Sequence, residues 1–296
     1  MQTSLDCLLC FIHQARSTGK LATGDDQLRR KLIDGAGQYL ATVDTALSPP
    51  ENAVGLYARM AKTLQVDDPF ATVKKQSNDY ALSIKKVMEE QILSAADPLR
   101  AALRVAIGGN IIDYAAQHDF DISQTMKNCL TRKFVLDDYK ALLEMINRSG
   151  KTKVLYLCDN CGEIVFDGLF IKQLQKQGCN VTAAVRGFPI INDATKADAK
   201  YTGLDVLCPV ISNGTGCPGT PLQSCSEEFI RYFDAADIII SKGMGNFETL
   251  SEKKAPLFFL FTVKCAEVAR HVTALKHLAP DSLNGQGEMV LMQQNA

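Results

Sequence analysis

Apolar residues recur every three or four positions through the first half of the chain, the spacing of amphipathic helices. This spacing predicts helices over residues 28–39, 82–93, 99–114 and Tyr139–Ile146, the third broken at Gly108 and Gly109. The prolines at 49–50, 69 and 98 mark helix starts or breaks, because proline is tolerated in a first helical turn. No run before residue 148 alternates as a strand would. The sequence therefore predicts a helical N-terminal part.

From residue 151 onward, short apolar runs alternate with helical segments. Strands are predicted over 153–158, Asn180–Val185, 206–210, 237–241, Leu257–Val263 and 290–292, with helices over 163–177 and 227–233. Continuous apolar strands separated by helices indicate a parallel sheet covered on both faces. We predict an α/β protein in which a helical domain (residues 1–150) packs on a Rossmann-like, mostly parallel sheet flanked by helices (residues 151–296).

Composition narrows the protein class. The 296 residues are 46% hydrophobic and 22% charged, with a formal net charge of -1, as expected of a soluble globular protein. A net charge this close to zero gives no overall electrostatic reason to expect nucleic-acid binding. The longest apolar run, Leu257–Val263, is far shorter than the roughly 20 residues that cross a bilayer. The N-terminus lacks the cationic start of an export signal, so we expect a cytoplasmic protein whose ten cysteines are thiols or metal ligands.

Polar residues cluster where the predicted strands end, which is where open α/β sheets bind ligands. Asp159 and Asn160 follow the first strand of the second half, and Arg186 and Asp193 follow the next. A third set follows the strand at 237–241 and comprises Lys242, Gly243, Gly245, Asn246 and Glu248.

These residue types favour a metal site next to an anion site. The oxygens of Asp159, Asn160 and Asp193 are hard ligands that suit Mg²⁺ or a similar divalent ion. Lys242 would supply a positive charge, and glycines 243 and 245 would let backbone N–H groups approach an anion. The alternative is that Asp159 and Asn160 only cap the helix that follows them. Neither a dinucleotide fingerprint nor a P-loop is present.

The same residues form an ordered set of motifs that resembles the damage-control phosphatase family, also known as protein of unknown function 89. The resemblance covers roughly residues 5–265, and the opening Cys7-x-x-Cys10 is typical of its smaller prokaryotic branch. The matching segments are Asp159-Asn160-x-Gly162-Glu163-x-x-Phe166-Asp167, Asn192-Asp193-Ala194-Thr195, Lys242-Gly243-x-Gly245-Asn246-Phe247-Glu248 and Gly109-Asn110-Ile111-Ile112-Asp113-Tyr114.

The resemblance implies a metal-dependent phosphatase acting on small phosphorylated metabolites, such as sugar phosphates or damaged phosphometabolites. It implies that Asp159, Asn160 and Asp193 hold a divalent ion (Mg, Mn, Co or Ni) and that Lys242 binds phosphate. Arg186, Asn110 and Asp113 are further candidates for substrate binding, the last two as part of a segment that closes over the site from the helical part. Asp193 and Glu248 are alternative bases for the attacking water.

Two other functions are alternatives to hydrolysis. One family member is assigned carboxyl methyltransferase activity, but the turn after the first strand of the sheet half lacks the glycine-rich form expected for S-adenosylmethionine. The other alternative is a non-catalytic protein that binds a metal or uses its thiols. Cys7 and Cys10 form half of a zinc-type ligand set and are a candidate second, soft-metal site. Cys158 and Cys161 repeat this spacing, which leaves buried thiols, a soft metal and a redox pair as interpretations. The sequence does not predict the physiological substrate, the native metal or the oligomeric state.

Overall fold

A computed structural model describes residues 1–115, 130–148 and 151–294, and of residues 110–115 the backbone alone. The helices of the described residues are α1 (Leu5–Ala22), α2 (Asp26–Leu40), α3 (Pro49–Leu64), α4 (Ala71–Ser94), α5 (Pro98–Ala115), α6 (Tyr139–Ile146), α7 (Glu163–Lys176), α8 (Lys196–Thr202), α9 (Leu204–Leu207), α10 (Glu227–Asp234), α11 (Met244–Leu250) and α12 (Ala266–Leu275). None of them is both long and apolar enough to cross a membrane.

Seven strands form one mostly parallel sheet. They are β1 (Phe134–Asp137), β2 (Lys153–Leu157), β3 (Asn180–Val185), β4 (Val210–Ser212), β5 (Ile238–Lys242), β6 (Leu257–Val263) and β7 (Glu288–Gln293). Their order is β1-β7-β6-β5-β2-β3-β4, and only the β6–β7 pair is antiparallel. The chain turns in opposite directions on either side of the β2–β5 pair. This is a topological switch point, where α/β sheets form a crevice at the carboxyl ends of their strands.

Alternating side chains of the strands divide the interior into layers. Tyr156 on β2 points to the face covered by α4, α5, α6 and α7, whereas its neighbours Leu155 and Leu157 point to the face covered by α10, α11 and α12. Helices α1, α2 and α3 surround a separate cluster built on Phe11, Leu32 and Leu56. Because α4 and α5 share a core with the sheet, the boundary predicted near residue 150 does not separate two hydrophobic cores.

The predicted α/β architecture with a mostly parallel sheet is confirmed. Strands β3 and β6 and helix α6 have the predicted bounds, and α3 and α5 begin at Pro49 and Pro98. Ser48 and Glu51 form a capping box at the start of α3, with each side chain bonded to the opposite backbone N–H. The bounds that were predicted correctly depend on local sequence features, namely a proline at a helix start and apolar runs long enough to fill a buried strand.

Three local predictions were wrong. Helix α5 runs unbroken through Gly108 and Gly109. Gly109 allows close packing of α5 against α7, since a Cβ there would lie 3.0 Å from Cδ2 of Phe166. The predicted strand over 206–210 contains a helical turn, with Val206 89% exposed, and β4 begins only at Val210. The helical part also contributes β1, a four-residue edge strand that pairs with β7 and was too short to detect.

Candidate active site

Asp159, Asn160 and Asp193 are brought together by backbone pairing of the segments that follow β2 and β3. Asn160 and Asp193 form an isolated antiparallel bridge. The N–H of Ala194 donates to the carbonyl oxygen of Asp159 at 2.8 Å, and the N–H of Cys161 donates to that of Asn192 at 2.8 Å. The three residues predicted to hold a metal thus share one place at the switch point, and all three line a single cavity.

Helix capping does not explain Asp159 and Asn160. Helix α7 is capped by Gly162, in a left-handed conformation (φ 77°), and no side chain accepts a hydrogen bond as its N-cap. The Gly162 N–H instead donates to Oδ1 of Asn78 on α4, at 2.7 Å. Asn78 therefore positions the turn that carries the two polar side chains. Sequence reasoning missed this residue, because nothing in the pattern links position 78 to position 162.

Arg186 joins the two carboxylates and does not line the cavity. Its Nε donates to Asp193 Oδ2 at 2.6 Å, and its NH2 group donates to Asp159 Oδ1 at 3.3 Å. Its NH1 group donates to Thr220 Oγ1 and to Asn246 Oδ1, at 3.2 and 2.9 Å. With 2% of its surface exposed, Arg186 orients the two acids from behind. The expectation that it contacts a substrate anion is not matched by this position.

Negative charge is concentrated at these carboxylates. Burial raises the pKa of Asp159 well above its usual range, and the nearby Asp193 and Glu163 raise it further, against the lowering effect of Arg186. Burial also raises the pKa of Asp193, again opposed by Arg186. The electrostatics of the site therefore favour an additional cation or proton next to the acids.

Lys242 lies in a different, fully buried network. Its Nζ donates to the carbonyl oxygen of Ala106 on α5 at 2.8 Å, to Asp167 Oδ1 at 2.7 Å, and to Glu163. An ammonium group has three donors, and all three have protein acceptors here. Lys242 is completely buried and does not line the cavity, so the structure does not present it to a phosphate as the sequence predicted.

The glycines after β5 allow close packing against the site. A Cβ on Gly243, which has φ 78°, would lie 2.0 Å from Oδ2 of Asp159, and a Cβ on Gly245 would lie 1.9 Å from the carbonyl oxygen of Pro218. The Gly243 N–H donates to the carbonyl oxygen of Leu260 at 3.2 Å, so this N–H has a backbone acceptor instead of an anion. Of the predicted anion site, Gly245 reaches the cavity wall, and so does Glu248, which was predicted as a base.

Asn246 holds neighbouring groups in place. Its Oδ1 accepts from Arg186 and from Thr220 Oγ1, the latter at 2.7 Å, and its Nδ2 donates to the carbonyl oxygens of Lys242 and Cys158 at 2.8 and 3.3 Å. The side chain is completely buried. Its hydrogen-bonding capacity is used within the protein, so it acts as a positioning residue. Thr220, from a loop whose function the sequence did not indicate, belongs to the same network.

The cavity beside the acids has a volume of about 720 Å³ and extends from the strand ends to α1, α3 and α4. Glu248, Cys7, Cys10 and Cys265 all line it. Burial raises the pKa of Cys10 and of Cys265, and the charge of Glu248 adds to both shifts. Burial raises the pKa of Glu248 to about 7. Lys264, which follows β6, is the only basic side chain that the described residues contribute to this wall.

Within the described part of the chain, the cysteine motifs form neither a metal-binding cluster nor a disulfide. Cys7 and Cys10 line the cavity near Cys265, but among the described residues no three His, Cys, Asp or Glu side chains are arranged to hold a metal. Cys158 and Cys161 are buried, and burial raises the pKa of Cys158 well above its usual value, which disfavours the reactive thiolate. Asn110 and Asp113, predicted to contact substrate, lie outside the residues whose side chains are described.

The fold and the site together define an α/β protein with a carboxylate-rich cavity at its switch point, and comparison with known proteins gives the family. Residues 3–277 match the profile of the Damage-control phosphatase ARMT1-like domain. The chain belongs to this family. It is 35% identical to a damage-control phosphatase of Pyrococcus horikoshii, over 93% of this chain and 96% of that protein.

Further relatives agree. A damage-control phosphatase of Archaeoglobus fulgidus is 34% identical, over 92% of this chain and 96% of that protein. The crystal structure of the Pyrococcus horikoshii relative itself, described as a DUF89 family protein, superposes with a TM-score of 0.88 at 33% identity, covering 100% of both chains. The family and fold expected from the motifs at residues 159, 193 and 242 are thereby confirmed.

Proposed function

We propose that this protein is a metal-dependent phosphatase that hydrolyses phosphomonoesters of small metabolites. The observation that carries the proposal is the convergence of Asp159, Asn160 and Asp193 on one cavity at the switch point of the sheet. The names of the archaeal relatives, damage-control phosphatases, support the reaction.

The charge of the cavity supports a bound divalent cation. Among the described residues, five acidic side chains line the wall: Asp6, Asp159, Asp193, Glu248 and Glu267. Lys264 is the single basic one. Arg186 pairs with Asp159 and Asp193, and Arg270 pairs with Asp6 and Glu267, which offsets part of this charge. Because neither arginine lines the cavity, a cation next to the acids would still favour the approach of a phosphate dianion. Asp159, Asn160 and Asp193 would hold that cation, because their oxygens match the hard ligands of Mg²⁺ and Mn²⁺.

Hydrolysis then proceeds by attack of a water oxygen on phosphorus, while the ester P–O bond breaks and the departing alcohol oxygen takes up a proton. When bound, the ion offsets the charge of the phosphoryl group and makes the attacking water more acidic. Arg186 fixes the Asp159 and Asp193 carboxylates in one orientation, with Asn246 and Thr220 holding the guanidinium. Glu248 is the wall carboxyl whose pKa suits proton transfer near neutral pH.

The direct test is an assay of phosphate release. Purified protein, first stripped with a chelator, should release phosphate from p-nitrophenyl phosphate and from a panel of metabolite phosphates only after Mg²⁺, Mn²⁺, Co²⁺ or Ni²⁺ is added. Activity that is undiminished in excess chelator would contradict metal dependence. The absence of phosphate release from every ester with every ion would contradict the phosphatase proposal itself.

A pH profile tests Glu248 as the base. Because its pKa is raised to about 7, the carboxyl is protonated below that pH and becomes a competent base above it, so kcat should rise as the pH passes about 7. Glu248→Gln should remove this rise in kcat with pH and lower kcat at pH 8 by roughly 100-fold, in line with the usual contribution of general base catalysis. Glu252→Gln, an exposed acid in the turn after α11, is the matched control. A rise near pH 7 that persists in Glu248→Gln would assign proton transfer to another group.

A further inference from the structure

The cavity has two chemically different sides. Asp159, Asn160 and Asp193 lie on the side formed by the strand ends, and the opposite side is formed by helices of the N-terminal part. Its volume of about 720 Å³ falls within the range of small-molecule sites, and far exceeds the space needed by a phosphate alone. The remaining space must accommodate the body of the substrate.

The helical side of the cavity is mostly apolar. Most of it is formed by Phe11, Leu21, Pro49, Ala53, Phe70 and Val73, and the polar side chains of Asp6, Gln14 and Ser77 also line it. These residues come from α1, α3, α4 and the turn before α4. A sugar body would lose hydrogen bonds with water on such a surface and gain few in return, whereas an alkyl or aryl body would gain from leaving water.

Three buried side-chain atoms of the cavity wall have no hydrogen-bond partner within the described residues: Oε1 of Gln14 on α1, Oγ1 of Thr262 on β6 and Oε1 of Glu267 on α12. The Glu267 oxygen is ion-paired with Arg270, which leaves Gln14 on the helical side and Thr262 on the strand side. Buried polar atoms are normally paired, so an unpaired atom in a binding cavity is a natural contact for a ligand. Gln14 Oε1 can only accept, whereas a threonine hydroxyl can donate or accept.

We propose that the substrate is an amphipathic phosphomonoester. Its phosphoryl group lies at Asp159, Asn160 and Asp193, its apolar body contacts the helical wall, and a hydroxyl or amide on that body pairs with Gln14 or Thr262. This inference rests on the proposed phosphatase function and adds the chemical class of the leaving group. The N-terminal helices, which supply none of the residues proposed to hold the divalent cation, supply the selectivity.

A homologous series of alkyl phosphates tests the apolar body. With the metal-loaded protein, kcat/KM should rise from ethyl to butyl to hexyl phosphate, by up to about fourfold per added methylene, since each buried methylene favours binding by that factor. Hexyl phosphate should also exceed glucose 6-phosphate. Activity on sugar phosphates with no dependence on chain length would refute the amphipathic class and leave the phosphatase intact. Inactivity towards all esters would refute the phosphatase proposal instead.

Variants locate the effect on the wall. Leu21→Asn should flatten the dependence on chain length, because Leu21 lines the cavity and is 43% exposed, so its replacement spares the core. Leu9→Asn is the control: residue 9 lies on the same helix, is 64% exposed and does not line the cavity.

Thr262→Val, of equal shape, should lower kcat/KM for 6-hydroxyhexyl phosphate more than for hexyl phosphate. Equal effects of Leu21→Asn and Leu9→Asn, or equal effects of Thr262→Val on the two esters, would overturn the assignment of these contacts.

Discussion

Asp159→Asn and Asp193→Asn are each expected to lower kcat/KM for phosphomonoester hydrolysis by at least about 100-fold. Removal of one well-placed electrostatic group from an active site usually has an effect of this size or larger. Each substitution also removes one of only two carboxylates proposed to hold the cation, so binding of Mn²⁺, measured by calorimetry, should weaken in parallel. The exposed Asp205→Asn is the control and should change neither quantity.

Asp159→Asn should keep its stability, which separates a functional role of this residue from a structural one. Burial, Asp193 and Glu163 all raise the pKa of Asp159, so the folded protein disfavours the charged form of this carboxyl. An asparagine has nearly the same shape and no charge. Asp159→Asn should therefore unfold at the same or a higher urea concentration than the wild-type protein, in the absence of metal. Loss of activity together with a large loss of stability would instead make Asp159 a structural residue.

Lys242→Met is expected to have the largest effect on stability, about 3–5 kcal/mol, as is usual when one partner of a buried ion pair is removed. Burial alone would lower the pKa of Lys242, but Asp167 and Glu163 outweigh this and raise it. Without the lysine, both acids would remain buried with no countercharge. Urea titration measures the change in the free energy of unfolding.

A pH dependence and a control variant test whether the loss of stability in Lys242→Met comes from the buried charges. Burial raises the folded-state pKa of Asp167 to about 6, and in Lys242→Met this pKa should rise further above its unfolded value, so the stability deficit should grow as the pH is raised from 5 to 8. Lys172→Met removes a half-exposed partner of Glu89, at 2.9 Å, and should lower stability by at most about 1 kcal/mol. If Lys242→Met unfolds like the wild-type protein but loses phosphate binding, Lys242 is a phosphate ligand, as the sequence predicted.

Arg186 and Lys242 show what strand-end position can and cannot predict. Both are basic residues at the carboxyl ends of strands, and the sequence assigned both to a substrate anion. In the structure each faces acidic side chains. Arg186 pairs with Asp193, seven positions away, and with Asp159, and Lys242 pairs with Glu163 and Asp167, which are 79 and 75 positions away. Strand position determines the edge of the sheet where a side chain begins, but its direction depends on the elements packed around it.

Local pattern alone determined the sheet, most of its strands and the three residues proposed to hold the metal. Apolar runs of strand length must be buried, and polar residues directly after parallel strands must meet at one edge, so the sequence alone was sufficient to group Asp159, Asn160 and Asp193. The motifs around them also indicated the family of the chain. These features depend on neighbours close in sequence or on the regular geometry of a sheet.

Only the tertiary structure decided which polar groups face the cavity and what the cavity can hold. Asn78 supports the turn at Gly162 across 84 positions, and the apolar wall is assembled from helices far from the strand ends. Such contacts follow from the packing of one layer on another, which a single sequence does not encode in any spacing. The grouping of Asp159, Asn160 and Asp193 at one place in the sheet was thus predictable from the sequence, whereas the packing of α1, α3 and α4 against the sheet determined the shape of the cavity and its proposed selectivity.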